Sequence, residues 1–253
     1  MANSISWAKI FADYKILEHD FSTGPFPLTA SQIKLSVQDY TSTSEKEVRI
    51  LCKQDSRKDR PQVFADNNLF LLPTRNKHYT IVQGEGYIDI PEIEAEPIEF
   101  KSKLKFDLDT SLVGDSEMQH LDYAFATGLL QEFMDDDSLV LTIRGRKYTP
   151  PFTFNVNQQL IETSSVQTEV DAGYEGPDKV VLIEAKNGKT SDTIIRQLFY
   201  PFKQWQNYTD KKVFTLFFER TKEGIFNIWQ FSFDDPDDYN SIRLEKCAKY
   251  KIV

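Results

Sequence analysis

Cysteine is nearly absent from this chain. Cys52 and Cys247 are the two copies, far apart and in unlike surroundings. That excludes a disulfide framework and fits free thiols in a reducing compartment. Histidine is limited to His19, His78 and His120, with no CxxC spacing, so the donors of a zinc site are missing. No apolar run approaches the roughly 20 residues of a membrane-spanning helix. The opening Met-Ala-Asn-Ser-Ile-Ser-Trp lacks the charged and apolar regions of a signal peptide. A cytoplasmic protein with no membrane partner is expected. Positive charge is also in deficit, with 30 Lys and Arg against 39 Asp and Glu and a net charge of -9. A uniformly basic nucleic-acid binder is therefore excluded, although a local basic patch is not.

What is present is apolar and aromatic. Hydrophobic residues make up 40% of the 253 and aromatics 13%, enough for one large domain or two modest ones. The 19 Phe and 11 Tyr favour sheet. No repeat or low-complexity tract occurs. The acidic, Pro-bearing stretch DIPEIEAEPIEF at 89–100 separates two differently patterned halves, giving expected domains at 1–95 and 96–253.

In the first half, Trp7, Ile10, Phe11 and Tyr14 predict a helix over about 5–17. Thr29 and Gln32 form a capping-box pattern. A third helix is expected from Ser44, with Glu47 as its capping partner. LFLLPTRNKHYTIV then reads as a hairpin with a turn at 74–77. Three helices and a hairpin make a winged-helix-like order. In the second half, FKSKLKFDL alternates like a strand, and GDSEMQHLDYAFATGLLQEFM reads as one helix with Met118, Leu121, Phe125, Leu129 and Phe133 on its apolar face. Strands are expected at about 138–143, 166–174 and 180–186. A helix capped by Asp192 and bent at Pro201 follows, and then the strands VFTLFFER and IFNIWQFSF. The expected class is α/β (α+β mixed), a mixed sheet flanked by helices.

The chemistry concentrates in TEVDAGYEGPDKVVLIEAKNG, residues 168–188. Gly176-Pro177-Asp178-Lys179 is turn chemistry. With Glu175 opposite Val180, Asp171 lies opposite Glu184 and Glu169 opposite Lys186, all on one face. A one-residue slip would separate them. Two adjacent carboxylates repel unless a cation sits between them. Mg²⁺ takes one or two carboxylates and keeps several waters, and the Ala185 carbonyl can complete its shell. Lys186 is placed to orient a water or stabilise charge developing on a phosphorane.

An Asp followed 13 positions later by Glu-x-Lys at the end of an apolar strand resembles the PD-(D/E)XK nuclease signature, with Asp171 as the first acid and Glu184 and Lys186 as the (D/E)XK part. The resemblance covers roughly residues 117–229. It implies a PD-(D/E)XK core and Mg²⁺-dependent cleavage of DNA, with Mn²⁺ as a substitute. The literal Pro177-Asp178 sits in the turn, and Val170 stands where the family has proline. RQLFYPF is similar to the Gln-x-x-x-Tyr extension of RecB-like nucleases, but Tyr200 follows Gln197 by only three positions. Glu117 is the candidate for an assisting acid on the first helix; a first-turn Glu is equally favoured by the helix dipole. Glu169 is open between ligand, partner of Lys186 and solvated face.

The most basic stretch of the first half is EKEVRILCKQDSRKDRP, residues 45–61. With a recognition helix over 44–53, Arg49, Lys53 and Gln54 would enter a major groove. Arg57, Lys58, Arg60 and Arg75 would meet phosphates or bases. The four acids in the same stretch equally fit a solvated mixed-charge surface. A specificity module on such a core resembles a type II restriction endonuclease acting on double-stranded DNA as a homodimer. The alternatives are a repair, recombination or methylation-directed nuclease, and a non-catalytic DNA-binding regulator.

Overall fold

The computed structural model describes residues 2–253. The chain opens with helix α1 (Ala2–Asp13), which buries Trp7, Ile10 and Phe11. Strand β1 (Phe26–Thr29) leads into α2 (Ala30–Ser36). There the Thr29 hydroxyl accepts the Gln32 backbone N–H at 3.2 Å and the Gln32 side-chain Oε1 accepts the Thr29 N–H at 2.9 Å, the capping box expected from sequence. Two single-turn helices follow, α3 (Thr43–Lys46) and α4 (Val48–Leu51), and then α5 (Gln62–Asp66). The helix expected from Ser44 is thus broken. Glu47 is extended at ψ 113° and begins α4 instead of capping a longer helix.

Strands β2 (Leu69–Arg75) and β3 (His78–Gln83) form the expected hairpin, and β1 joins it in the order β1-β3-β2. This hairpin is buried on both faces. Leu69, Leu71 and Ile81 pack with Trp7, Phe11 and Phe64 of the N-terminal core. Phe70, Leu72 and Val82 point the other way, into the large C-terminal core. Strand periodicity assigns alternate residues to the two sides, so one ribbon is shared by both halves.

After β4 (Tyr87–Asp89) and β5 (Ile98–Phe100) the chain is irregular as far as a short 3-10 turn at Thr110–Leu112. The strand expected over 100–108 does not form: beyond Phe100 no neighbouring strand pairs with it, and Phe106 is left 67% exposed. The helix expected over the next stretch is two, α6 (Glu117–Ala126) and α7 (Leu129–Met134), divided at Gly128, whose φ of +89° glycine tolerates best. Met118 is accordingly exposed, while Leu121, Leu129 and Phe133 are buried.

The rest of the chain supplies most of the main sheet and what packs on it. Its elements are β6 (Val140–Tyr148), an unanticipated hairpin of β7 (Phe152–Val156) and β8 (Gln159–Thr163), β9 (Gln167–Glu175), β10 (Lys179–Asn187), β11 (Asp192–Ile194), α8 (Arg196–Gln206), β12 (Lys212–Arg220), β13 (Ile225–Phe233) and β14 (Ile242–Ile252); β7 pairs with β8 and β11 with β4, outside the main sheet. Seven strands lie in the order β5-β14-β13-β12-β10-β9-β6, with β10–β12 and β14–β5 parallel and the other pairs antiparallel. The sheet is mixed, with α8 over one face and α6 and α7 over the other. The α/β mixed class expected from sequence is the class observed. Asp192 is not a helix cap. It starts β11, which pairs with β4, and its carboxylate accepts the Arg57 N–H at 2.6 Å.

The approach of β6 to β9 is close. A Cβ on Gly173 would stand 2.7 Å from the Cβ of Ile143, its cross-strand partner. Gly173→Ala is expected to destabilise the fold by about 1–3 kcal/mol through overpacking, read from the midpoint of a denaturant melt. An unchanged midpoint would contradict this packing.

Candidate active site

The β9–β10 hairpin carries the chemistry. Gly176 N–H donates to the Lys179 carbonyl at 2.9 Å and closes the turn. The pairing runs Glu175 opposite Val180, Tyr174 opposite Val181, Gly173 opposite Leu182 and Ala172 opposite Ile183, the register read from sequence. Burial holds it there. Tyr174, Val181, Ala172 and Ile183 pack under α6 and α7 on one face, whereas Val180 and Leu182 pack under α8 on the other. A one-residue slip would drive apolar side chains of one core against the wrong layer.

One step beyond the last ladder pair stand Asp171 and Glu184. Asp171 Oδ2 accepts the Ala185 N–H at 2.8 Å. A residue's N–H and C=O lie on the same edge of a strand, so the Ala185 carbonyl is turned to that side as well. Glu184 Oε1 accepts from the Lys186 ammonium and, at 2.8 Å, from the Gln197 amide on α8. The Thr193 hydroxyl donates to Gln197 Oε1 at 2.7 Å, which sets the amide with its NH₂ toward Glu184. Glu117, at the start of α6, accepts the Asn187 N–H at 3.3 Å. Asp171, Glu184, Lys186, Glu117 and Gln197 line one cavity of about 370 Å³.

Glu169 reaches the rim of this cavity but does not face Lys186. It is exposed and its carboxylate accepts from Arg146 Nε of β6 at 3.0 Å. The cause is a shift in the β6–β9 register between Ile143 and Gly145. That irregularity turns Val170 into the core under α8 and swings Glu169 to the edge of the sheet. Of the site residues expected from sequence, Asp171, Glu184, Ala185, Lys186 and Glu117 come together, and the Glu169–Lys186 pairing is replaced by Glu169–Arg146. Gln197 was visible only as an imperfect spacing match. Its role depends on α8 lying over β10, and Tyr200 beside it is committed elsewhere, its hydroxyl donating to the Pro73 carbonyl at 2.9 Å.

Electrostatics sharpen the picture. Burial pushes the Glu184 carboxyl up to about 7, against the pull of Lys186 and with the push of Asp171. Burial also raises Asp171, opposed by its hydrogen bond from Ala185 and by Lys186. Burial pulls Lys186 down, but the carboxylates of Glu184, Glu117 and Asp171 outweigh it and the ammonium is held above its ordinary value. Of the cations lining the cavity only Lys186 touches either of these two acids, and desolvation keeps both carboxyls above their ordinary values. Among the described residues no cluster of three His, Cys, Asp or Glu side chains is arranged to hold an ion. Two carboxylates and a carbonyl are nonetheless a donor set that suits Mg²⁺, which keeps waters in its remaining positions.

The expected DNA-contacting residues divide. Arg49, Lys53, Lys58 and Arg75 are exposed. Gln54 is 2% exposed and Arg60 is 8% exposed, with its guanidinium donating to the Leu69 carbonyl at 2.8 Å and the Phe64 carbonyl at 3.3 Å. Arg57 donates to Asp89 at 2.5 Å and to the Tyr87 carbonyl at 3.3 Å. Arg57 and Arg60 therefore fasten the 54–60 loop, and Gln54, whose backbone carbonyl accepts the Tyr87 hydroxyl at 3.2 Å, is buried, so none of the three presents a reading edge.

The raised Glu184 carboxyl has a consequence for stability. Between its unfolded value near 4.5 and its folded value near 7 the folded state binds the extra proton, so this group makes stability fall as pH rises through that window. Comparison of Glu184→Gln with the parent from pH 4.5 to 8 is expected to show a flatter decline in the variant, on the order of 1–3 kcal/mol across the window. Parallel curves in thermal melts would contradict the assignment.

Comparison with known proteins gives a family without an activity. Residues 4–81 match a family described as "Domain of unknown function (DUF6996)". No curated protein matches. A solved structure titled "Crystal structure of SSO0001" is 13% identical, covers 57% of this chain and 53% of its own, and superposes with a TM-score of 0.20. The chain thus spans about half the length of that protein, and the likeness carries no argument about fold. Lys53 and Asp55 of the cavity lining fall in the match over residues 4–81; over residues 82–251, which include Glu117, Asp171, Glu184, Lys186 and Gln197, the chain belongs to the family described as "Domain of unknown function (DUF6997)".

Proposed function

We propose that this protein is a Mg²⁺-dependent endonuclease that hydrolyses phosphodiester bonds of double-stranded DNA at a short specific sequence, in the manner of a type II restriction endonuclease with a PD-(D/E)XK core. The observation that supports it is the joint placement of Asp171, Glu184, the Ala185 backbone and Lys186 around one polar cavity at the rim of the sheet.

Asp171, Glu184 and the Ala185 carbonyl would hold the ion. A bound Mg²⁺ supplies a more acidic water and a counter-charge for phosphate oxygens. Lys186 keeps its ammonium charged amid three carboxylates and offers hydrogen-bond donors toward charge growing on the phosphorus-bound oxygens. Gln197, set by Thr193, orients the Glu184 carboxylate and satisfies one of its lone pairs. Glu117 contributes negative potential from the cavity lining and steadies the strand end through Asn187. A homodimer gives one such site to each strand of a palindrome. A cytoplasmic setting accords with both cysteines being free thiols, and no helix among the described residues is long and apolar enough to cross a membrane.

Incubation of the protein with unmodified phage DNA and Mg²⁺ is expected to give discrete fragments. Lys186→Ala should slow cleavage by about a hundredfold or more, with the fold preserved by circular dichroism. No cleavage of any DNA form by the parent protein, with Mg²⁺ or Mn²⁺, would remove this reading.

A further inference from the structure

A second cavity, of about 680 Å³, adjoins the first. Its cationic lining is Arg49, Lys53, Arg75, Lys77, Arg146 and Arg196, and its sole carboxylate is Asp55. Five net positive charges in one groove stand out in a chain whose overall charge is -9. The cations come from four separate places: the end of α4, the β2–β3 turn, the edge strand β6 and the first residue of α8. Arg49, Arg75 and Lys77 have no carboxylate within 4 Å among the described residues. Arg146 is paired with Glu169 at 3.0 Å, and Lys53 with Asp55 at 3.7 Å. Ile50, Leu71, Pro73, Val166 and Ile194 complete the wall.

Lys53, Asp55, Gln167 and Arg196 line both cavities, so the groove and the candidate catalytic cavity share a wall. Arg196 stands at their junction. It precedes Gln197, the residue bonded to Glu184. Its Nη2 lies 3.5 Å from Asp55 Oδ1, a long pairing that Asp55 divides with Lys53, and its buried Nε has no hydrogen-bond partner. The guanidinium is therefore under-satisfied, although its planar fork of donors suits a phosphate better than any other side chain does. The Asp55 carbonyl accepts the Ile194 N–H at 2.9 Å, which ties the N-terminal loop to the strand leading into α8.

We propose that this groove carries the phosphate backbone of duplex DNA and that Arg196 is its clamp, exchanging the Asp55 carboxylate for a phosphate where the groove opens beside Asp171 and Glu184. The exchange couples engagement of the N-terminal domain to placement of the strand in the catalytic cavity. It rests on the nuclease reading only for what happens after the phosphate is seated; the binding itself needs no metal and no reaction.

The test is binding of a fluorescein-labelled DNA duplex in the absence of divalent metal, by anisotropy over a series of salt concentrations. The logarithmic salt slope counts phosphate contacts at about 0.9 each. Arg75→Ala with Lys77→Ala, on an exposed turn, should lower the slope by about 2. Arg196→Ala should lower it by about 1, and Arg196→Lys, which keeps the charge and loses the fork, should keep the slope but weaken binding. Asp55→Asn should tighten binding by up to about fivefold by releasing Arg196. An unchanged slope in Arg196→Ala, weaker binding in Asp55→Asn, or preference for single-stranded DNA or RNA over the duplex would overturn the clamp. Groove-dependent binding by a protein that cuts nothing would uphold the clamp and sink the nuclease reading. Cleavage by a protein indifferent to these substitutions would do the reverse.

Discussion

Everything in the candidate site depends on burying the Glu184 carboxyl, and half-burying that of Asp171, at the place where a dry sheet meets solvent. Val180, Val181, Leu182 and Ile183 are all nearly inaccessible, two facing each core. That burial locks the hairpin register, and the register delivers Asp171 and Glu184 side by side one step past the last ladder pair. Desolvation then raises both acids. A protein whose only concern was stability would be better served by an apolar residue at 184, since a buried ion pair seldom repays the cost of removing both charges from water. Lys186 and Gln197 offset part of that cost. Desolvation still outweighs them, and both carboxyls stay above their ordinary values.

The N-terminal domain is built into this arrangement through two attachments. The β2–β3 ribbon gives one face to each core. The 54–60 loop is fastened by Arg57 to Asp89 and Asp192, by Arg60 to the Leu69 and Phe64 carbonyls, and by the Asp55 carbonyl to Ile194. The division at 1–95 and 96–253 read from the acidic linker marks where composition changes. The packing crosses that line: β4 pairs with β11, the strand that leads into α8, in a two-stranded sheet of their own, and the two family matches meet at residues 81 and 82.

Local chemistry was legible wherever the deciding contacts are close in sequence. The Thr29–Gln32 capping box, the Thr74–Lys77 turn region and the Gly176–Lys179 turn all rest on groups within a few residues of one another. Legibility failed where a distant partner intervenes. The Ser44 helix breaks at an extended Glu47, a break its own residues do not announce. The alternation over 100–108 is genuine, but the strand beside it, β14, ends at Ile252, and beyond Ser102 no strand among the described residues pairs with it. Glu169 was placed by extrapolating an ideal ladder, and the β6–β9 irregularity that displaces it has no local marker in β9.

By itself the sequence determined the mixed α/β class, the hairpin register, and with it the meeting of Asp171, Glu184, Ala185 and Lys186, because alternation and turn geometry act over a few residues and are written in residue type. Tertiary structure alone decided which cations are free. Arg57 is consumed by groups 32 and 135 positions away, and Gln54 and Arg60 are buried. Lys77, Arg146 and Arg196, unremarkable along the chain, converge with Arg49, Lys53 and Arg75 on one groove. Charge acts through space, and the distances that give it effect exist only once the two domains have packed.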